Sequence, residues 1–486
     1  MLNAVLALVL GATINVPSDH ATIQKAVDAA RDGDTIVVAG HSESSPTVYP
    51  ERLSFNSTNG PENVTLLSSP RRSVIFYGLT TRGAGAGLTV EGFQITIPES
   101  VLAEDSAAKY AIRVRSHDVT LRDNYIFDCP GYAIFGYHGQ PWYENAVIED
   151  NYIYGCNAGI SIFGHNWLVQ NNEIERLVRS ESVNIDADYM RGFGSDIVVR
   201  GNYLHGTFAS DIGGSHVDAF QSFTNNGYYL HGLTYENNIV YDFSQGVFLE
   251  SKHEVGGISD IVVQNNVFDG GLNGEGGAYG VGAKYDVRNL YVGHNLFANM
   301  THHGVFLRGG AEGTVQNNIF YNAGSNYRAD SSSTVIGGFN LISQQGHPYY
   351  SQDSDLLDVD PMFVGGDWAD GGFMLKPESP AVDAGQSAIA EDLYGNPRPQ
   401  GVSADIGPFE LGSGQVPDPD PEPDPDPEPD PDPEPDPEPA CVTLQEVIVE
   451  LLAIETAGLG ECLTPETVID DLNLLILKIE SDHGLN

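Results

Sequence analysis

Apolar residues alternate with polar ones for two or three steps, then come a polar residue, an Asn and an apolar pair. This phrase returns as VTLRDNYIF (119–127), AVIEDNYIY (146–154), IVVRGNYLH (197–205), LTYENNIVY (233–241), IVVQNNVFD (261–269), LYVGHNLFA (290–298) and TVQNNIFYN (314–322). Its Asn falls at 124, 151, 172, 202, 238, 266, 295, 318 and 340, so successive spacings run from 21 to 36 residues. A period of two is the signature of strands. Helical repeats are longer and nearly constant in length. The pattern therefore predicts a parallel β-solenoid. Each turn contributes short strands, and the Asn takes a sharp corner in a left-handed conformation. Stacked corners would form an Asn ladder bonded along the axis. Ile126, Ile153, Leu204, Val267 and Ile319 are expected to stack inside it. Cys129 and Cys156 each lie five residues past a corner Asn in consecutive turns, and should be neighbours, either as a stacked apolar pair or as a disulfide.

A solenoid needs its ends covered. HATIQKAVDAARDGDTIVVAG (20–40) predicts a short amphipathic helix with Ile23, Ala26, Val27 and Ala30 on one face, then a turn and a strand. With PSDH before it, this segment closely resembles the opening cap of the pectin-lyase-like right-handed parallel β-helix superfamily. DPMF (360–363), LKPESPAVDAG (375–385), DLYGNPRP (392–399) and DIGPFE (405–410) resemble the closing segment of secreted bacterial β-helix proteins. The resemblance spans about residues 13–412. It implies an all-β, right-handed parallel β-helix with an N-terminal helical cap, and an extracellular setting.

The chain carries 67 acidic and 22 basic residues, a formal charge of −45. Such a surface excludes a role in gripping nucleic-acid phosphates, which needs Lys and Arg. The charge is not uniform. Pro417–Pro439 alternates 12 Pro with 11 acids, which predicts an extended spacer of roughly 70 Å. Residues 440–486 hold nine acids and Lys478, so the first 416 residues keep a charge of −26. The expected organisation is a signal-like segment or buried first strand at 1–12, a solenoid at 13–412, a linker at 413–439, and a small α-helical module of two helices at 440–486. Cys441 and Cys462 flank the first of those helices and are candidates for a bridge. The second helix is apolar enough to dock another chain or a cell-surface component. No run is long enough to insert into a membrane.

Between the corners lies a second set of strands: SVNIDAD (182–188), HVDAFQS (216–222), GVFLESK (246–252), GVGAKYD (280–286) and GVFLRGG (304–310). Aligned on their apolar alternation, they turn Asp186, Phe220, Glu250, Lys284 and Arg308 outward in one column. Asn184 and Asp218 lie one step along, with His216 and Lys252 at the edges. Two cations in one column are informative where basic residues are so scarce. A solvated ion-pair ladder is the plain reading, and a polysaccharide-cleaving face is the functional one. The column resembles, in residue types alone, that of calcium-assisted alginate- and chondroitin-type lyases. That resemblance implies β-elimination on a uronic-acid polysaccharide. Ca²⁺ would be held by Asn184, Asp186, Asp218 and Glu250. Lys284 or Lys252 would act as base, with His216 as the rival base, and Arg308 would bind a substrate carboxylate. Phe220, Tyr285 and Gln221 are the expected sugar contacts. Hydrolysis by paired carboxylates among Asp186, Asp218 and Glu250 is a second reading. A non-catalytic carbohydrate binder or tailspike-like surface protein is a third.

Overall fold

The computed structural model describes residues 11–412 apart from 56–59, 83–84, 105, 140, 184, 226, 253–256, 271–278, 344–349, 366–371 and 387–388. The signal-like segment falls almost wholly outside the described residues. So do the linker, the C-terminal helices, Cys441 and Cys462, and the candidate ligand Asn184.

Every strand pairing among the described strands is parallel, each with the equivalent strand of the next turn. Ile197 stands beside Leu233, which stands beside Ile261, which stands beside Leu290. Each turn lays down up to three strands, on a first, a second and a third face. In one turn these are Asp218–Phe223, Leu230–Glu236 and Ile239–Tyr241. Inward side chains stack from turn to turn. On the third face Ile126, Ile153, Ile174, Leu204 and Val240 stand in register. The stack continues through Phe268, Phe297 and Phe320. All are buried, and each such side chain contributes about 1.5–3 kcal/mol of apolar transfer.

Asn124, Asn151, Asn172, Asn202, Asn238, Asn266, Asn295, Asn318 and Asn340 form the expected ladder between the second and third faces. Each Nδ2 donates to the Oδ1 of the next turn, as from Asn202 to Asn238 at 2.9 Å and from Asn318 to Asn340 at 3.0 Å. The ladder ends where Asn340 donates to Asp355 Oδ1 at 3.1 Å. A carboxylate suits that end because it accepts without needing a further acceptor. One expectation needs correcting. The left-handed corner belongs to the residue before the ladder Asn: Asp123, Asp150, Asn171, Gly201, Asn237, Asn265, His294, Asn317 and Phe339 all have positive φ. The ladder Asn is selected for its amide, and its neighbour bears the turn.

The N-terminal helix, Ile23–Ala29, is capped by Thr22, whose side chain accepts from Lys25 N. Glu51 accepts the free amides of Ile23 and Gln24 at 3.0 and 2.8 Å. Ile23, Ala26 and Val27 are buried against the first turns. Val267 and Ile319 are buried too, but they face outward from the third face rather than into the solenoid. There the closing segment covers them with Phe373, Leu375, Ile406 and Phe409. Polar contacts fasten the same segment. Arg398 and Glu410, each 1% exposed, pair at 3.3 Å, and Asn265 Nδ2 donates to Glu391 O at 2.8 Å. Cys129 and Cys156 are buried free thiols rather than a bridge. No helix among the described residues is long and apolar enough to cross a membrane.

Candidate functional site

The first face does not alternate evenly, and this decides which residues look outward. Asp218 stands beside Gln245 and Gln245 beside Tyr279, and two residues on Phe220 meets Val247 and Val247 meets Val281. Between them Ala219, Gly246 and Gly280 are buried within their strands, as are Phe220, Val247 and Val281 next to them. Space there is short: a Cβ on Gly246 would lie 2.2 Å from Gly280 O. Two consecutive residues therefore point inward before alternation resumes. Phe220 is one of them. It is fully buried against Tyr235, which corrects its placement in the outward column. Phe223 takes that place, in register with Glu250, Lys284 and Arg308. Gln221 does face outward, beside Arg191 of the preceding turn.

Asp186 belongs to no strand and lies ahead of the column, held by Arg191 Nη2 at 2.8 Å. Glu250 is five residues along the strand from Gln245, the register partner of Asp218. At ~3.3 Å per residue it lies roughly 16 Å from Asp218. The described members of the calcium set thus do not converge on one point, as calcium's six to eight oxygen ligands require. Lys284 lies over the Phe248 ring at 4.5 Å and Arg308 over Phe306 at 5.3 Å. Lys252 is exposed two residues beyond the strand Gln245–Glu250, and Tyr285 is 40% exposed at a left-handed turn position.

What the first face brings together is Asp188, Arg191, His216 and Asp218. Asp188 and Asp218 stand on adjacent turns, joined where Asp218 N donates to Asp188 Oδ1 at 3.2 Å. His216 follows the short helix Ala209–Ile212, and its Nδ1 meets Asp218 Oδ1 at 3.0 Å. Gln221 Nε2 donates to the other Asp218 oxygen at 2.6 Å. Arg191 Nε donates to Asp188 Oδ2. Both carboxyls are essentially fully buried. Burial first, and then the Asp218 charge, push Asp188 up to about 7. Burial raises Asp218 as well. The hydrogen bond to Asp218 raises His216 to about 9, against the opposing effect of its own burial. Burial also works against the Arg191 charge, but Asp188, Tyr132 and Asp186 more than offset it and raise its pKa.

Right-handed β-helix chains are what this one resembles. A family model described as "Right handed beta helix region" matches residues 85–249. Among solved structures, the complex of XylC with xylose has a TM-score of 0.51 at 12% identity, covering 80% of this chain and 95% of that one. This chain is a right-handed parallel β-helix protein. The β-helix also matches a PL6 family alginate lyase, AlyGC, at a TM-score of 0.40 and 14% identity, covering 82% of this chain and 58% of that one. A GH87 alpha-1,3-glucanase from Streptomyces thermodiastaticus matches at 0.42 and 15% identity, covering 69% and 66%. No curated protein matches by sequence.

Within the β-helix site, exposure divides the labour. The His216 side chain is 44% exposed and the Asp186 side chain 54%, while Asp188 and Asp218 lie behind them. Solvent therefore meets an imidazolium backed by Asp218 and a carboxylate backed by Arg191. Phe163, Phe193 and Trp142 belong to a packed aromatic cluster on the same outward face. Asp188, Arg191 and Tyr132 were not singled out from the sequence. The signal was present in DADYMR (186–191), where a rare Arg follows an acidic pair by three residues.

Proposed function

We propose that this protein cleaves glycosidic bonds of a polysaccharide by acid–base hydrolysis on its first face. The observation that carries the reading is the solvent-facing His216, charged by a buried Asp218, next to the solvent-facing Asp186 held by Arg191. His216, raised to about 9, stays protonated at neutral pH. It gives its proton to the leaving glycosidic oxygen. Asp186 accepts a proton from water, whose oxygen adds to the anomeric carbon. Each step uses a group within reach of solvent, and general acid–base help of this kind is worth about 10²–10⁴-fold. The same protonation makes His216 a poor base near neutrality, which weighs against it in an elimination. The reading places the protein outside the cell, where its polymeric substrate lies.

A second reading keeps β-elimination, with Lys284 as base and Arg308 holding a substrate carboxylate. The register of Glu250, Lys284 and Arg308 on one outward column favours it. One assay separates the two. The purified chain is incubated with a panel of neutral and uronic polysaccharides. New reducing ends are counted beside the ultraviolet absorbance of an unsaturated product. Reducing ends without that absorbance, lost by about 10²-fold or more in His216→Gln and Asp186→Asn, support hydrolysis. Unsaturated product lost in Lys284→Ala supports elimination. Cleavage that survives all three substitutions places the chemistry elsewhere.

A further inference from the structure

Acids outnumber bases about three to one in this chain, with 67 against 22. Carboxylates within reach pair with seven described arginines. Arg113 and Arg115, on the first face toward the N-terminal end, have no carboxylate partner among the described residues. Both guanidinium groups lie over the ring of Tyr137, at 4.9 and 3.9 Å from its centroid. Arg113 also lies 5.5 Å from the Tyr110 centroid, which Lys109 approaches from 5.4 Å. The Nε atoms of both arginines are buried without a hydrogen-bond partner. Burial, then the neighbouring Arg115, lower the pKa of Arg113. Three cations are thus crowded around two aromatic rings with no carboxylate paired to them among the described residues.

Their position relates them to the proposed active groove. Arg113 stands beside Phe135, Phe135 beside Ser161, and Ser161 beside Arg191. The two arginines of this outward column are three turns apart, about 14 Å at ~4.8 Å per turn. A short run of sugar units lying along the helix axis spans that distance. We infer that Arg113 and Arg115 form an anion-binding subsite, which takes a carboxylate or sulfate group of a polysaccharide whose scissile bond lies at His216 and Asp186. The guanidinium groups are already fixed on Tyr137, so little side-chain freedom is lost on binding, and their planar donors match either oxyanion. The subsite supplies a local positive field on a chain of charge −45. The inference rests on the proposed cleavage only for the direction in which the polymer runs.

Binding is measured by calorimetry on the full chain carrying His216→Gln. The probes are an oligogalacturonate, a sulfated dextran oligosaccharide and a neutral malto-oligosaccharide of the same length. The expected result is binding of at least one anionic probe in preference to the neutral one. Arg113→Gln and Arg115→Gln each weaken it about tenfold or more, and Arg200→Gln on the second face leaves it unchanged. Which anionic probe binds better tells carboxylate from sulfate. Affinity of the unsubstituted subsite falls as salt rises, a readout that needs no folded variant. Equal affinity for the neutral probe, a flat salt response, no binding of any probe, or full affinity in both arginine variants overturns the inference. Anion binding that depends on Arg113 and Arg115 in a chain that cleaves nothing would leave the subsite standing and remove the proposed reaction. Cleavage of neutral glycans indifferent to both arginines would do the reverse.

Discussion

Replacing Asp218 by Asn tests the electrostatic core of the site directly. Asn keeps the shape and the contact with Gln221 but removes the charge that does most to raise His216. The imidazole stands at about 9 against an ordinary 6.5. At about 1.4 kcal/mol per pH unit, that difference bounds the coupling near ~3 kcal/mol, and screening of a 44% exposed side chain leaves about half. The sign follows from the direction. A histidine raised in the folded state adds stability that is complete below 6.5 and is lost as pH rises through about 9. Asp188, also raised, gives its own loss between 3.8 and about 7. The window above neutrality therefore reports His216. The unsubstituted chain should lose about 1–2 kcal/mol across that window, and Asp218→Asn should flatten the slope. Removing the Asp218 charge also lets Asp188 fall back toward the ordinary carboxylate range. The assay is an NMR titration of the imidazole, assigned against His216→Gln among the 14 histidines, together with thermal melts at stepped pH. A parent His216 that titrates near 6.5, or one that stays near 9 in Asp218→Asn, would refute the reasoning.

Three further outcomes follow from the fold. Asn238→Ala in mid-ladder orphans the buried main-chain N–H of Asn202, bonded to Asn238 Oδ1 at 2.9 Å, and removes the donor that Asn238 Nδ2 offers to Val199 O and Asn266 Oδ1. It should cost about 3 kcal/mol or more in denaturant melts, whereas Asn145→Gly, at an exposed left-handed position paired with Asp118, should be nearly neutral. Arg398→Ala strands a buried Glu410 and should cost about 3–5 kcal/mol; limited proteolysis should then release the closing segment first. Cys129 and Cys156, buried and free, should resist alkylation in the native protein and react once it is unfolded, and a non-reduced peptide map should show no link between them.

Why the repeat was legible and the site only partly so comes down to what a strand alignment can see. The ladder Asn residues carry a period that survives insertions of any length, because a buried amide that bonds both neighbours leaves no substitute of equal geometry. The two end caps were legible as whole phrases. Register on the first face was not, because Ala219 and Phe220 are both buried and break the even alternation on which the strands were aligned. Matching Val217 to Val247 slides the strand by three, since Phe220 is the partner of Val247. Phe220 goes inside and Phe223 takes its place. Glu250, Lys284 and Arg308 survive because Val247, Val281 and Val305, on which their strands were aligned, are true partners. A similar limit applied at the third face, where Val267 and Ile319 have a burial no period could assign, since their cover arrives from residues 373–409. Asp188 escaped for a different reason. Its value lies in a neighbour one turn away, Asp218, and in Arg191 three residues on, and neither relation is visible until the turns are stacked. The sequence signal that would have found it is charge economy: in a chain with only 22 basic residues, a buried cation is a place to look for an anion. Arg191 marks one supplied by the protein. On the inference drawn above, Arg113 and Arg115 mark the one supplied by the substrate.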